Sequence, residues 1–245
     1  MWIFKKSGRT ARRLRKLLAR LYKPDAADNA GVLLPVRDAL ISPHIQQEIA
    51  RGGYESREIE IIERRIESGD VVMEVGAGIG FLSAWCAKKL GDGRVFAYEA
   101  NPALMPLIAR TYRINGVNPA AKNVLLGRGS GEREFHVEPE FWASSLHRTS
   151  EAAATVLVPQ IDLNEELARV NPTFLVVDIE GGEGEFFDYA RLDGVRKICV
   201  EVHPHVIGSA RISALLAKLF DQGFVLDCAI LRKNVMYLYR AAAAH

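Results

Sequence analysis

Asp70-Val71-Val72-Met73-Glu74-Val75-Gly76-Ala77-Gly78-Ile79-Gly80-Phe81 is the stretch on which the fold turns. A β-branched run over residues 71–75 ends in glycines and feeds a helical stretch over 81–90; a second short apolar run follows at 94–98. Residues without a Cβ let backbone amides turn tightly and approach a ligand, so strand, turn and helix together predict a nucleotide-like site at the edge of a parallel sheet. The glycines are spaced Gly-x-Gly-x-Gly, whereas a pyrophosphate of NAD is seated by Gly-x-Gly-x-x-Gly. Glu99 closes the second strand 23 residues after Gly76 (99 − 76), where a carboxylate can accept hydrogen bonds from both ribose hydroxyls. Turn and carboxylate together describe a nucleoside site.

Downstream, the pattern predicts a helix over 102–115, a strand near 123–126, a long insertion, and strands at 174–177 and 198–202. A helix at 211–222 and strands near 224–230 and 235–239 complete the chain, the last two joined across Arg232-Lys233-Asn234 as an antiparallel hairpin. Upstream, residues 41–66 read as mainly helical with a break at Gly52-Gly53, and 25–35, with Gly31 and several alanines, reads as a linker. Leu14, Leu17, Leu18 and Leu21 fall on one side of a basic amphipathic helix over 10–23. The expected architecture is α/β: a Rossmann-like, mostly parallel sheet with helices on both faces and a C-terminal antiparallel hairpin. Residues 1–38 are expected as an appended helix and linker, and 39–245 as the domain.

With 49% apolar and 25% charged residues, the chain has a globular composition. It carries no apolar run long enough for a membrane span or a secretory signal, so a cytoplasmic location is expected. The formal charge of +2 hides an asymmetry. Nine lysines and arginines precede the first acidic residue, Asp25, and the remaining 23 basic (32 − 9) and 30 acidic residues leave −7. Any attraction to an anionic membrane surface is therefore expected from residues 1–24, placing the protein peripherally at the inner face of a membrane. A partner or dimer helix is the rival reading of that segment. Cys86, Cys199 and Cys228 lie in apolar stretches without zinc-ligand spacing and are expected as buried free thiols.

Several separated segments resemble the FkbM family of class I methyltransferases over residues 39–240. They are Gly53-Tyr54-Glu55, the turn Glu74 to Phe81, and Tyr98-Glu99-Ala100-Asn101-Pro102. Ser144-Ser145-Leu146, Gln160-Ile161-Asp162 and Val177-Asp178-Ile179-Glu180-Gly181 follow in the family's order. The resemblance implies S-adenosylmethionine as cofactor and methyl transfer, usually to oxygen, on a saccharide, glycolipid or other small natural product. It implies cofactor contacts from Glu74, Gly76, Ala77, Gly78, Gly80, Glu99, Ala100 and Asn101. Glu74 is read either as holding the cofactor's amino group or as a structural acceptor for loop amides. Two positions depart from the family pattern: Val176 stands where the family commonly has lysine, and Glu74 where it often has aspartate. Val176 is the feature that favours an alternative, a non-catalytic binding module.

Methyl transfer from a sulfonium is an in-line displacement, so the protein aligns the acceptor and removes its proton. Asp178, Glu180 and His203 are the catalytic candidates, since ligands in an open α/β sheet lie beyond the carboxyl ends of the strands. If the strand continues, Asp178 and Glu180 share a face and their closeness raises one of the two pKa values towards that of a useful base; Glu180 capping the next helix is the bland alternative. No metal site is expected, because two carboxylates without a clear third ligand hold Mg²⁺ poorly. His203, as a free imidazole, would take a proton near neutral pH. Trp142, Ser144 and Ser145 in the insertion, with Glu201, are the candidates for lining the acceptor site. Nucleic acid is a disfavoured partner, because Asp-Ile-Glu-Gly is unlike the Asn-Pro-Pro-type step of base-amine methyltransferases; self-association is left open.

Overall fold

A computed structural model describes residues 25–138, 140–146 and 150–241. The basic helix expected over 10–23 lies outside them. A hairpin of β1 (Ala26–Asn29) and β2 (Val32–Pro35) comes first, then α1 (Pro43–Arg51) and α2 (Ser56–Arg65). Next are β3 (Val72–Val75), α3 (Phe81–Leu90), β4 (Val95–Glu99), α4 (Met105–Asn115) and β5 (Ala120–Asn123). The insertion carries β6 (Leu125–Gly127), β7 (Gly131–Val137) and β8 (Ala154–Asp162). The chain then returns through α5 (Leu163–Val170), β9 (Phe174–Val177), α6 (Glu183–Tyr189), β10 (Lys197–Glu201), α7 (Pro204–Asp221), β11 (Phe224–Leu226) and β12 (Val235–Arg240).

Seven strands form the main sheet in the order β11-β12-β10-β9-β3-β4-β5. β12 pairs antiparallel with both neighbours, and the other pairs are parallel. The expected mostly parallel sheet with a C-terminal antiparallel hairpin is therefore present. Alternation along the buried strands splits the core. Val72, Val95, Ala97 and Val176 pack with Ile59, Ile62, Phe81, Trp85 and Ile108 of α2, α3 and α4. Met73, Val75, Leu175 and Val177 pack with Leu163, Leu167, Phe186, Leu215 and Leu219 of α5, α6 and α7. Side chains one residue apart on a strand face opposite ways, so burial on both faces needs the continuous apolar runs seen in the sequence.

Three expectations change. Residues 25–35 are not a linker: Ala30 and Gly31 both take positive φ (50° and 84°), which suits a two-residue hairpin turn. Val32 and Leu34 are fully buried, each contributing on the order of 2 kcal/mol, so the packed unit already includes this hairpin and not only residues from 39 on. The strand expected over 123–126 divides, β5 staying in the main sheet while β6 joins β8 and β7 in a separate three-stranded sheet. Cys86 and Cys199 are buried, but Cys228 is exposed because its 3-10 turn, Cys228–Ile230, buries only Ile230.

The chain direction reverses between β3, which leads to β4 and β5, and its other neighbour β9, which leads to β10. Such a switch point opens a crevice at the carboxyl ends of the strands.

Candidate active site

A cavity of about 710 Å³ lies at that crevice. Gly76, Gly78, Glu99 and Ala100 line one side, and Asp178, Glu180 and Glu201 line another. Phe141, Trp142 and Ser144 of the insertion and Tyr54, Glu55 and Glu58 near the start of α2 complete the part relevant here.

Gly76 has φ 90°, and a Cβ there would lie 1.6 Å from the Asp178 carbonyl oxygen. The turn thus passes directly against the end of β9, where Asp178 N donates to Val75 O at 2.9 Å. The amides of Gly76 and Ala77 both donate to Tyr98 O, at 2.9 and 3.0 Å, which ties the turn to β4. Glu99 Oε2 accepts from Gly78 N at 2.8 Å and Oε1 from Asn101 N at 2.7 Å. Burial raises the Glu99 pKa to about 7 despite these amide donors. Gly76, Gly78, Glu99 and Ala100 could therefore hold a nucleoside, the glycines by close approach and Glu99 by accepting hydroxyl hydrogen bonds.

Four other residues expected to contact the cofactor do not line the cavity. Ala77 is buried under the turn, and Gly80 packs against α4, where a Cβ would meet Tyr112 at 3.0 Å. Asn101 is 1% exposed, and its side chain caps the next turn by accepting from Ala103 N at 3.0 Å. Glu74 points to the α3 face and bonds Ser83; burial lifts its pKa to about 8, and Oε2 has no partner. In the parallel ladder Glu74 stands opposite Val176. A lysine at 176 would lie beside this carboxyl; valine leaves it unpaired.

Asp178 and Glu180 do come together, though not along a continuing strand. β9 ends at Val177, and Glu180 (φ 47°) and Gly181 (φ 95°) turn the chain sharply. A non-glycine residue in the left-handed region costs about 1–3 kcal/mol, and such strain clusters at functional positions; Glu55 (φ 47°), on the same cavity, shares it. The two carboxylates converge on His203, whose Nε2 is 3.3 Å from Glu180 Oε2 and 3.7 Å from Asp178 Oδ1. Its Nδ1 is 2.7 Å from Oε1 of the wholly buried Glu183. Burial alone would lower the His203 pKa, but the bonds to Glu180 and Glu183 outweigh it and raise it to about 11. His203 is thus an imidazolium set behind the cavity wall, not the free imidazole the sequence suggests. Nor does Glu180 cap the helix: Gly182 is at the cap position, and Glu183 Oε1 accepts from Gly181 N at 2.9 Å.

Burial, then the charges of Glu201 and Glu180, push Asp178 well above the ordinary carboxylate range. Glu58 is raised to about 7 by burial and by Glu201. Glu201 accepts from Asn234 Nδ2 at 2.6 Å. In the insertion, Trp142 is 46% exposed on the rim, with Nε1 donating to Glu140 at 3.1 Å. Ser144 Oγ accepts from Glu138 N at 3.0 Å, while Ser145 is buried in backbone bonds to His136 and does not line the cavity.

Glu58 and Glu183 went unmarked in the sequence. A glutamate three residues after Glu55 and beside Ile59, on the buried face of α2, was the available sign for Glu58. Glu183 is recognisable only once His203 is folded onto it.

Among curated proteins no sequence matches the chain. Solved structures with similar folds include the ribosomal protein L11 methylase of Lactobacillus delbrueckii subsp. bulgaricus, 16% identical over 76% of this chain and 78% of its own (TM-score 0.45). Another is the precorrin-6y C5,15-methyltransferase of Geobacter metallireducens GS-15, 15% identical over 76% and 88% (TM-score 0.44). A third is M. jannaschii TYW2 in complex with AdoMet, 14% identical over 87% and 82% (TM-score 0.41). The family described as the methyltransferase FkbM domain matches residues 74–226, from the strand that carries the glycine turn to the end of β11. With more than half of its length in that match, the chain belongs to the methyltransferase FkbM domain family.

Proposed function

We propose that the chain transfers a methyl group from S-adenosylmethionine to a hydroxyl of a saccharide, glycolipid or similar small acceptor. One observation carries the reading: Gly76, Gly78 and Glu99 share a single cavity with Asp178, which sits directly against the turn. Bound there, the cofactor supplies an electrophilic methyl on its sulfonium. Glu99 accepts from the ribose hydroxyls, and the glycine turn lets the nucleoside approach the backbone. Asp178, more basic than an ordinary carboxylate, takes the acceptor's hydroxyl proton as the bond to carbon forms, its backbone held by the bond from its amide to Val75 O. Trp142, Ser144 and Glu201 line the acceptor side, where carboxylates and a hydroxyl suit a polyol.

Calorimetry with S-adenosylhomocysteine and with NAD tests the cofactor. Binding of NAD alone would make the protein an oxidoreductase and sink the proposal. With an acceptor in hand, Asp178→Asn should lower kcat by roughly 10²–10⁴, the range for losing a general base; unchanged turnover would remove Asp178 from that role.

No helix among the described residues is long and apolar enough to cross a membrane. Peripheral attachment through residues 1–24 is part of the proposal, supported by their nine basic residues. Equal flotation on anionic liposomes with and without those residues would eliminate it.

A further inference from the structure

We propose that Asp178, Glu201 and His203 bind one divalent cation of the Mn²⁺ or Zn²⁺ class at the acceptor side of the cavity. The three residues follow or end two adjacent parallel strands, β9 and β10, so the sheet itself sets their spacing. One ligand atom from each lies within 4.8 Å of the others. Neighbouring ligands around a cation at about 2.1 Å sit roughly 3.0–3.4 Å apart, so binding draws the three side chains together; His203 Nε2 and Asp178 Oδ1, 3.7 Å apart, are already near that spacing.

Two independent features point inward. Asp178 Oδ1 is buried and accepts no hydrogen bond, although it lies 3.7 Å from His203 Nε2. His203, with its side chain 5% exposed, is clamped at Nδ1 by the buried Glu183, which turns Nε2 towards Glu180 and Asp178, 3.3 and 3.7 Å away; a cation bound there takes the place of the Nε2 proton. A carboxylate bonded to the far nitrogen is the usual support of a metal-binding histidine, because it fixes both tautomer and ring orientation. Asn234 similarly holds Glu201. Glu58 and Glu180, on the same cavity, stand as reserve ligands. A nitrogen among carboxylates favours Mn²⁺ or Zn²⁺ over the all-oxygen preference of Mg²⁺ and Ca²⁺. Resting on the methyl-transfer reading, the cation's role is to bind the acceptor hydroxyl and acidify it beside Asp178. The site itself does not depend on that reading.

The full chain, stripped with EDTA, is titrated with MnCl₂ near neutral pH while free Mn²⁺ is followed by electron paramagnetic resonance. One Mn²⁺ per chain is expected, displaced by Zn²⁺. Glu201→Gln and Asp178→Asn should each weaken binding by roughly tenfold or more, whereas Glu48→Gln, elsewhere on the cavity wall, should leave it unchanged. Melting curves establish that each variant is folded, and either ligand variant suffices if the other is not. Absence of bound Mn²⁺ at millimolar concentration overturns the site. So does equal weakening by Glu48→Gln, which would show a diffuse acidic field only. S-adenosylhomocysteine binding, measured on the same metal-free protein, reports the cofactor reading separately.

Discussion

Replacing Glu74 with glutamine should stabilise the protein in mild alkali and leave it nearly unchanged at about pH 4.5 and below. Glu74 is 2% exposed, and its carboxyl is raised from the ordinary 4.5 to about 8, first by burial and then, against the bond from Ser83, by the charge of Glu99. Because the folded pKa lies above the unfolded one, the folded chain keeps a proton that the unfolded chain releases between those values. Stability therefore falls as pH rises from about 4.5 to about 8 and levels off beyond it. At 1.36 kcal/mol per pKa unit, the gap corresponds to on the order of 5 kcal/mol, an upper figure for a group that can relax its surroundings. Glutamine has nearly the same shape, stays neutral, and can still bond Ser83. Urea denaturation of both proteins, at several pH values across that window, would follow the difference in midpoint. The gap should open by several kcal/mol in favour of Glu74→Gln as pH rises. Parallel stability curves would mean that Glu74 is ionised in the fold and has a partner, contrary to the packing around it.

Val176→Lys should be tolerated beside Glu74 but cost at least about 3 kcal/mol when combined with Glu74→Gln, since the lysine would then be a buried charge without a partner; additive effects in the denaturation cycle would rule out pairing. Affinity for S-adenosylhomocysteine should weaken about tenfold per pH unit below about 7, where Glu99 in the free chain takes up a proton before it can accept from ribose. Calorimetry on wild type and Glu99→Gln checks this, and the same slope in both would refute it. Asp70 is fully buried and accepts from Lys197 Nζ at 2.9 Å, Thr173 Oγ1 at 2.8 Å and Glu67 N at 2.8 Å, joining the starts of β3, β9 and β10. Asp70→Ala should therefore cost about 1–3 kcal/mol by removing the buried acceptor of Thr173 Oγ1 and Glu67 N, while Lys197 keeps Glu67 Oε2 at 2.8 Å and Arg65 O at 2.9 Å; no loss in the same assay would contradict that network.

The sheet was legible in the sequence because strands buried on both faces leave unbroken apolar runs, and the helix Phe81–Leu90 matches its pattern end to end. Glu99, Asp178 and Glu201 were recognisable because each falls at or just beyond the end of a strand. What depends on contacts between distant residues was not legible. Residues 25–35 looked like a linker because Ala30-Gly31 forms a turn whose worth comes from Val32 and Leu34 docking into the core. His203 looked like a base because the carboxylates that make it a cation, Glu180 and Glu183, lie some 20 residues away. Whether a turn residue faces ligand or protein was equally hidden: Gly78 lines the cavity, while Gly80 lies against α4.

The departure of β6 from the main sheet divides the labour of the molecule. The chain leaves the parallel sheet after Asn123 and returns to it through α5, and in between it builds a platform, β6-β8-β7, that carries Phe141, Trp142 and Ser144 over the cavity. The residues that would grip a nucleoside belong to the main sheet; much of what an acceptor would touch belongs to this platform. One can therefore be exchanged while the other is left standing. Transplanting residues 125–162 between relatives should move acceptor preference and leave cofactor affinity with the recipient, so that selectivity behaves as a detachable part.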